Sequence, residues 1–487
     1  MTATRDRRDQ VAGGPGIGER LAGLLADDPG ARLAAATIAS PAVDPISLYA
    51  AAVEADLEAA LWLRPSERTA FVGVGRAWAA ELEGETRFRD AEAAWRSLTA
   101  AAALDRPDDG PRGAGPVLLG GMGFTGRPPA ADDAWGPFAA SSLVLPGLIL
   151  SVTPDGTTVT ASVVREYDGD GTDGGDARAL ERRWTSLVER ARELAPSPSG
   201  MVAMPVFAPL STAAEQPSHD HFRRLVGMYA GAVGRGRIDK VVLARRVDLR
   251  SPVVLDVPNA LRRLAASAPE STTYAFRRDG RTFLGATPER LVRTEGRTFR
   301  TVAVAGTIRR GADEAEDAEL GRRLLASEKD REEHAIVVAA IRDLLAPVAD
   351  TLTVAPHPGV MTLRFVQHLV TEIAGTVPDG TGLLALGERL HPTPAVGGDP
   401  RDVALALIDE HEGFDRGWYA GPIGWLGVDG DGELCVALRC GIADRTNATL
   451  FAGCGIVADS DPDLEWEESR IKLRAVVSAL GIPADEA

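Results

Sequence analysis

Apolar residues recur at helical spacing in some segments of the chain and form short continuous runs in others. Residues 18–103 are rich in Ala, Leu and Glu with helical spacing, interrupted by strand-like pieces such as residues 70–74. Apolar runs separated by turns follow, and they predict strands at residues 117–119, 142–150 and 157–164.

The second half of the chain has a denser pattern. A helix over residues 176–194 is followed by a Pro-Ser segment, residues 195–200, which is the best candidate for a domain boundary. The pattern then predicts a strand at residues 240–249, together with helices at residues 219–233, 328–345 and 463–480. Because strands and helices do not alternate strictly, it favours an α+β fold with an antiparallel or mixed sheet.

Composition narrows the class of protein. The 487 residues leave room for about three domains. The net charge of −17 argues against nucleic acid or an anionic membrane as the main partner. Three cysteines without a paired spacing fit a reducing cytoplasm, and no apolar run is long enough to span a membrane. Residues 1–17, charged and Gly-rich, are interpreted as a disordered leader.

Two motifs resemble binding loops but lack essential features. Gly121, Gly123 and Gly126 have the spacing of a dinucleotide fingerprint, yet Pro128 and Pro129 follow where that motif requires a helix. The acidic segment 168–176 has the wrong residues for a calcium loop. We interpret the first as a turn at a strand end and the second as a solvated surface loop.

Two residues in the second half have the chemistry of an acid–base pair. Lys240 opens the apolar strand KVVLARR, and burial beside other cations would lower its pKa toward neutrality and make it a usable base. Glu289 follows the strand end FLGATP, where an apolar wall would raise its pKa and allow it to donate a proton. Taken alone, each has the simpler interpretation of a solvated side chain.

Two pairs of carboxylates are spaced to share a helix face. Asp330 and Glu333 are three residues apart, as are Glu465 and Glu468, so each pair projects from one side of its helix. Repulsion between neighbouring carboxylates suggests a cation between them, and oxygen ligands suit Mg²⁺. The alternative is ordinary helix-end electrostatics together with an i,i+4 ion pair between Glu468 and Lys472.

A further set of residues could bind a carboxylate. Backbone N–H groups of glycine turns, a hydroxyl and a bidentate guanidinium are the groups that such an anion requires. These groups are supplied by Gly306 and Thr307, by Arg439 on a strand, and by Gly455 ahead of Lys472. Individually they could be ordinary turns and an exposed strand arginine.

Ten motifs, in order, make the chain recognisable. They are KVVLARR, FLGATPERL, AVAGTIRRG, LLASEKDREEH, QHLVTEIAG, LHPTPAVGG, YAGPIGW, VALRCGI, LFAGCGIV and EWEESRIKLRA. Together they resemble the chorismate-utilising enzymes, over about residues 218–481. The resemblance implies a single α+β domain over residues 18–487, with two large facing antiparallel sheets and helices outside. Residues 18–200 would be the variable half and residues 201–487 the catalytic half.

The resemblance also implies roles for individual residues. It makes Lys240 the base that activates water and Glu289 the acid that protonates the departing hydroxyl. Direct Mg²⁺ ligands would be Glu333 and Glu468, supported by Asp330 and Glu465. The expected substrate-binding set is Gly306, Thr307, His368, Ala395, Arg439, Gly455 and Lys472. Cys454 stands where the family usually has Ala, and Val396 where isochorismate synthases often have Leu.

The members of the family differ in their nucleophile and in whether pyruvate is lost. Amino-transferring members resembling anthranilate synthase generally have Gln in place of Lys240, and no glutaminase motif surrounds any cysteine here. Ala395 resembles the isochorismate synthases, whereas salicylate synthases tend to have a more polar residue there. The expectation is therefore a monomeric isochorismate synthase that uses chorismate and Mg²⁺. The alternatives are a salicylate synthase, an anthranilate synthase-like component and a non-catalytic chorismate-binding relative. The residues leave open whether the product enters menaquinone, siderophore or other biosynthesis.

Overall fold

The computed structural model describes residues 15–107, 110–165, 177–196, 211–363 and 366–481. Helices in these ranges are α1 (Ile17–Asp27), α2 (Pro45–Glu54), α3 (Arg87–Thr99), α4 (Ala177–Glu193), α5 (His219–Gly234), α6 (Val257–Ser267), α7 (Glu314–Ala326), α8 (Glu328–Leu345), α9 (Leu383–Leu390), α10 (Arg401–His411) and α11 (Pro462–Ala479). A 3₁₀ turn spans Pro65–Glu67. No helix within these ranges is long and apolar enough to cross a membrane.

The strands of the same ranges fall into two sheets. In chain order they are β1 (Leu33–Ala39), β2 (Ala59–Arg64), β3 (Thr69–Val74), β4 (Trp78–Leu82), β5 (Ala102–Asp105), β6 (Val117–Met122), β7 (Ser141–Leu145), β8 (Leu148–Thr153), β9 (Gly156–Val164), β10 (Ser211–Gln216), β11 (Lys240–Arg250), β12 (Thr272–Arg278), β13 (Arg281–Thr287), β14 (Arg290–Glu295), β15 (Thr298–Arg309), β16 (Thr351–Val354), β17 (Gly359–Thr362), β18 (Val366–Thr376), β19 (Gly398–Asp399), β20 (Pro422–Gly427), β21 (Gly432–Val436), β22 (Cys440–Asp444) and β23 (Asn447–Ile456).

The larger sheet has the order β10-β11-β23-β22-β13-β12-β2-β3-β8-β9-β1-β5, with β19 also pairing with β11. Apart from the parallel pair β1–β5, its ladders are antiparallel. The second sheet has the order β16-β18-β15-β14-β21-β20-β6-β7-β4, with β17 on β18, and is antiparallel throughout. Each sheet contains strands from before and after the Pro-Ser segment.

The two sheets face each other across an aromatic core. Phe71 on β3 and Trp425 on β20 bring strands of opposite sheets together, with ring centroids 4.6 Å apart. Helices cover the outer faces: α1, α2 and α6 pack on the larger sheet, and α7, α8 and α9 pack on the second. A separate apolar cluster fills the space beneath the helices of the larger sheet. The expected α+β fold with two large facing sheets is confirmed.

Several predicted strands and helices agree with the structure, but the predictions for residues 142–150 and 18–103 are wrong in part. The predicted strand 142–150 is two strands, because Pro146 lacks the N–H that a continuous ladder needs and the chain turns there. Residues 18–103 contain five strands in addition to three helices, because Ala-rich runs such as LAAATIA in β1 are paired and buried within the sheet.

The remaining expectations concern the chain start and two loops. Helix α1 begins at Ile17, so the predicted leader ends before that residue, and residues 1–14 lie outside the described ranges. The glycine motif begins within the last residues of β6 and continues into a turn without a helix, as expected. A Cβ at Gly121 would lie 2.6 Å from the Trp418 ring. The acidic segment 168–176 and most of the Pro-Ser segment also lie outside the described residues.

Candidate active site

A cavity of about 360 Å³ lies where β11 and β23 of the larger sheet meet β15 and β18 of the second. Side chains from α8 and α11 close its rim. All thirteen residues that the sequence singled out line this one cavity: Lys240, Glu289, Gly306, Thr307, Asp330, Glu333, His368, Ala395, Arg439, Gly455, Glu465, Glu468 and Lys472. The structure therefore brings the predicted set together, although their separate roles stay predictions.

Lys240 is the first residue of β11 and lies against the neighbouring strand β23. Gly455 makes this possible, since a Cβ there would lie 2.5 Å from Cε of Lys240. The ammonium donates a hydrogen bond to Oε1 of Glu333 at 3.0 Å. The sequence had placed this lysine among cations; instead its nearest charged neighbour is a carboxylate, because α8 directs Glu333 into the same corner of the cavity.

Glu289 occupies the connection between β13 and β14, where the chain passes from one sheet to the other. Its backbone is fixed on both sides: its N–H donates to Oγ1 of Thr287, and its carbonyl accepts from Val436 N–H at 3.0 Å. Burial raises the pKa of the carboxyl from 4.5 to about 7, against the opposing effect of Arg439, Lys240 and Lys472. This carboxyl can hold a proton near neutral pH.

Gly306 interrupts the ladder between β15 and β18 as a bulge. Its φ of +75° lies in the left-handed region, and a Cβ there would approach Asp330 to 3.2 Å, so glycine suits this position. The bulge places Thr307 opposite His368, with Oγ1 and Nδ1 3.0 Å apart. Burial, and then Arg439 and Lys472, lower the pKa of His368 to about 4, so the ring is neutral at pH 7.

Arg439 was predicted on a strand but lies in the connection between β21 and β22. Its φ of +50° is incompatible with extended strand backbone and is an uncommon conformation for a residue with a side chain. Such strain is concentrated at functional sites. Its guanidinium makes no hydrogen bond or ion pair within 4.0 Å to the rest of the described chain, and burial lowers its pKa. An arginine fork held open toward a cavity is suited to a carboxylate ligand.

The four carboxylates come from the first two turns of two helices: Asp330 and Glu465 lie in the first turns, and Glu333 and Glu468 one turn later. Ser327 caps α8 by accepting from Asp330 N–H, and Asp461 caps α11 by accepting from Asp463 and Leu464 N–H groups. These caps fix where the helices begin and therefore which side chains face the cavity.

On α11 the charges are arranged unequally. Lys472 pairs with Glu468 at 2.7 Å and also donates to the carbonyl of Gly453, so the i,i+4 pair is present. This ammonium is the main reason that the pKa of Glu468 is lowered. Burial raises the pKa of Glu465, although that carboxyl accepts a hydrogen bond from Ser460 at 2.7 Å.

The chemistry of these donors fits Mg²⁺. No group of three His, Cys, Asp or Glu side chains in the described ranges is close enough to hold a metal ion alone. Mg²⁺ does not require such a cage, because it usually takes one or two protein carboxylates and completes its shell with water and substrate oxygens. Glu333 and Glu468, each already paired with an ammonium, are the two carboxylates that could exchange that partner for a metal cation.

Sequence reasoning missed several polar residues that line the cavity, among them Tyr419. Its ring stacks on Phe451 with centroids 5.3 Å apart, and it lines the cavity beside Arg439. Gly453 leaves room for the hydroxyl, since a Cβ there would be 2.8 Å from it. The motif YAGPIGW contains this tyrosine and was the available signal.

Two unusual residues differ in their relation to the cavity. Val396 lines it next to Ala395. Cys454 is not among the lining residues; it is buried, and its Sγ lies 3.7 Å from the carbonyl oxygen of Glu465. The cysteine therefore packs behind the acidic helix.

Comparison with known proteins agrees with this arrangement. The family model described as chorismate binding enzyme matches residues 21–481. The salicylate biosynthesis isochorismate synthase of Pseudomonas aeruginosa is 38% identical, over 92% of this chain and 90% of that protein. Isochorismate synthase MenF of Bacillus subtilis is 33% identical, over 86% of this chain and 87% of its own.

A solved structure has the same architecture. The menaquinone-specific isochorismate synthase MenF of Escherichia coli superimposes with a TM-score of 0.74 at 26% identity, covering 92% of this chain and 94% of that one. The family model spans nearly the whole sequence, and the ten motifs supply the walls of one cavity. This chain therefore belongs to the chorismate binding enzyme family.

Proposed function

We propose that this protein is an isochorismate synthase, which converts chorismate to isochorismate with Mg²⁺. The convergence of Lys240 and Glu289 on one cavity supports the proposal most directly, because the reaction needs a base and an acid around one ring. The names of the relatives that align along most of the chain agree with it.

The reaction exchanges one hydroxyl for another. Lys240, in its neutral form, accepts a proton from water as the water oxygen forms a bond to C2 of chorismate. Both ring double bonds shift by one position, the C4–oxygen bond breaks, and Glu289 protonates the leaving hydroxyl, which departs as water. One water enters and one leaves, so the overall change is an isomerisation.

The remaining residues would bind and orient the substrate. Arg439 and Tyr419, which both line the cavity, would bind one carboxylate of chorismate, and Lys472 with the backbone at Gly455 would bind the other. Mg²⁺ held by Glu333 and Glu468, with support from Asp330 and Glu465, would supply positive charge to a substrate carboxylate. Neutral His368 would line the ring pocket.

Salicylate synthase is the alternative to be tested, since it would add pyruvate loss to the same first step. Ala395 lines the cavity at the position where salicylate synthases tend to have a more polar residue, and this favours isochorismate synthase. Purified protein should be incubated with chorismate with and without Mg²⁺, and every product separated by chromatography. Isochorismate as the sole product, formed only with Mg²⁺, is expected; salicylate with pyruvate, or binding without turnover, would contradict the proposal.

A further inference from the structure

Behind one wall of the cavity lies an ion pair that is almost completely buried. The side chains of Arg416 and Glu412 are 2% and 1% exposed, and neither lines the cavity. Nε of Arg416 donates to Oε2 of Glu412 at 2.7 Å, and a second guanidinium nitrogen donates to Oε1. The guanidinium also lies 4.3 Å from the centroid of the Phe124 ring.

The remaining hydrogen bonds of the pair go to the backbone of the cavity wall. Arg416 donates to the carbonyls of Val396 at 2.9 Å and Val242 at 2.8 Å. Glu412 accepts from the backbone N–H of Ala244 at 2.8 Å. Val242 and Val396 both line the cavity.

These contacts connect three segments of the chain that surround the substrate space. Val242 is two residues after the predicted base Lys240, and Val396 directly follows Ala395. Arg416 is also tied to Tyr419, because its own carbonyl accepts from the Tyr419 N–H at 2.9 Å. The Arg416 side chain therefore connects the start of β11 with the loop that contains Ala395, and its backbone carbonyl connects both to the turn with Tyr419.

Stability alone is a weak explanation for such a pair. The desolvation of two charges often offsets their attraction, and replacing a buried pair with apolar residues of similar volume is often neutral or stabilising. A planar guanidinium can hold two carbonyls from separate segments at fixed angles. It thereby defines the position of the backbone, which apolar packing does not do.

We infer that Arg416 and Glu412 are positioning residues that hold the wall formed by Val242, Ala395, Val396 and Tyr419 in its catalytic arrangement. The inference rests on the proposed function for the identity of the substrate and the product. It assigns these two residues no contact with chorismate. They act through the residues that line the cavity.

The test is the double variant Arg416→Met with Glu412→Leu, which replaces the charges with apolar side chains. We expect its thermal midpoint to stay within a few degrees of wild type, while KM for chorismate rises and kcat falls, each by roughly tenfold, as for a misplaced site. A merely structural role would reduce the amount of folded enzyme and leave KM unchanged. The control is Arg278→Met with Glu58→Leu, a partly buried pair 2.6 Å apart whose residues do not line the cavity. Arg76, which also pairs with Glu58, keeps its pair with Glu81 in this variant.

Several results would overturn the inference that Arg416 and Glu412 position the cavity wall. A folded double variant with KM and kcat within twofold of wild type, or a control that loses activity equally, would overturn the inference. If the double variant does not fold, Arg416→Lys replaces it, because lysine keeps the charge but cannot hold both carbonyls; the same changes in KM and kcat are expected, and wild-type values would overturn the inference. Failure of the wild type to form isochorismate would instead contradict the proposed function.

Discussion

Two arginines of this protein, Arg64 and Arg439, have opposite charge environments. Near the strand ends around Arg64, the charges are mutually satisfied: Glu433 is 4% exposed and pairs with Arg64 at 2.6 Å and Arg290 at 3.0 Å. Glu67 joins the same network through Arg290 and Arg293. In the active-site cavity, Arg439 has no ion pair with the rest of the described chain, and its backbone is in the left-handed region.

The paired charges stabilise the fold, whereas the unpaired charge beside the cavity is available to bind a ligand. A buried charge that is paired and hydrogen-bonded has already recovered its desolvation cost within the protein. A charge held open beside a cavity recovers that cost only when a substrate binds. The two regions should therefore respond oppositely to mutation, one in stability and the other in catalysis.

The largest effect is expected at the acidic helices. Glu333→Ala or Glu468→Ala should abolish turnover while the fold is retained, because each removes one predicted ligand from a site for a hard cation. Activity measured across a Mg²⁺ titration, with circular dichroism as the control for folding, checks this. Substantial activity that resists EDTA in either variant would remove that residue from the metal site.

The second-largest loss of activity is expected when the predicted proton-transfer residues, Lys240 and Glu289, are replaced. Lys240→Ala and Glu289→Gln should each lower kcat by roughly 10²–10⁴, the contribution of general acid–base catalysis, with chorismate binding largely preserved. Steady-state kinetics in the forward and reverse directions supply the measurement. A near-normal rate in either variant and direction would contradict the assigned role.

Arg439 and Arg64 provide the direct test of the comparison. Arg439→Lys should lower kcat/KM by roughly 10–100-fold, because a point charge replaces the guanidinium fork, with little change in stability. Arg64→Met should leave kcat/KM of the folded protein unchanged but lower its free energy of unfolding by about 1–3 kcal/mol, because Glu433 loses a buried partner. Kinetics and urea denaturation of both variants measure the two effects. The comparison would be refuted if Arg439→Lys lost stability but kept kcat/KM, and Arg64→Met lost kcat/KM but kept its stability.

The smallest effect concerns pH. The pKa of Glu289 is raised from 4.5 to about 7, so the folded protein holds this proton more tightly than the unfolded chain. The stabilising effect is complete below about pH 4.5 and is lost as the pH rises to about 7. As the pH rises over this interval, the free energy of unfolding of Glu289→Gln should therefore increase relative to that of wild type. Denaturant unfolding at several pH values measures this difference. A constant difference would show that Glu289 is not the titrating group.

Glu289 should also determine how kcat/KM depends on pH. If Glu289 donates a proton, kcat/KM for chorismate should fall above about pH 7, because the free enzyme then loses the acid. Glu289→Gln should lack this alkaline limb while retaining only residual activity. A wild-type profile that is flat through pH 8 would count against the carboxyl as the acid.

Local patterns in the sequence predicted which residues meet in the cavity better than they predicted the sheet. Lys240, Glu289 and Arg439 belong to short motifs whose residue types are dictated by the chemistry, so each could be identified without coordinates. The pairing of Trp62 on β2 with Tyr274 on β12 could not, because strand order depends on contacts more than two hundred residues apart.

The missed features have a similar cause. The Arg416–Glu412 pair resembles an ordinary helix-end i,i+4 pair in the sequence, and only burial and the surrounding backbone show what it holds. The contact of Lys240 with Glu333 was also missed, because it depends on how α8 packs beside β15.

The most direct test of the proposed chemistry follows the oxygen atom. The protein should be incubated with chorismate and Mg²⁺ in ¹⁸O-labelled water, and the isochorismate analysed by mass spectrometry with fragmentation. The account predicts one solvent oxygen at C2, since water activated by Lys240 forms the new bond while the C4 hydroxyl leaves. Isochorismate that retains the original hydroxyl oxygen of chorismate at C2 would contradict it.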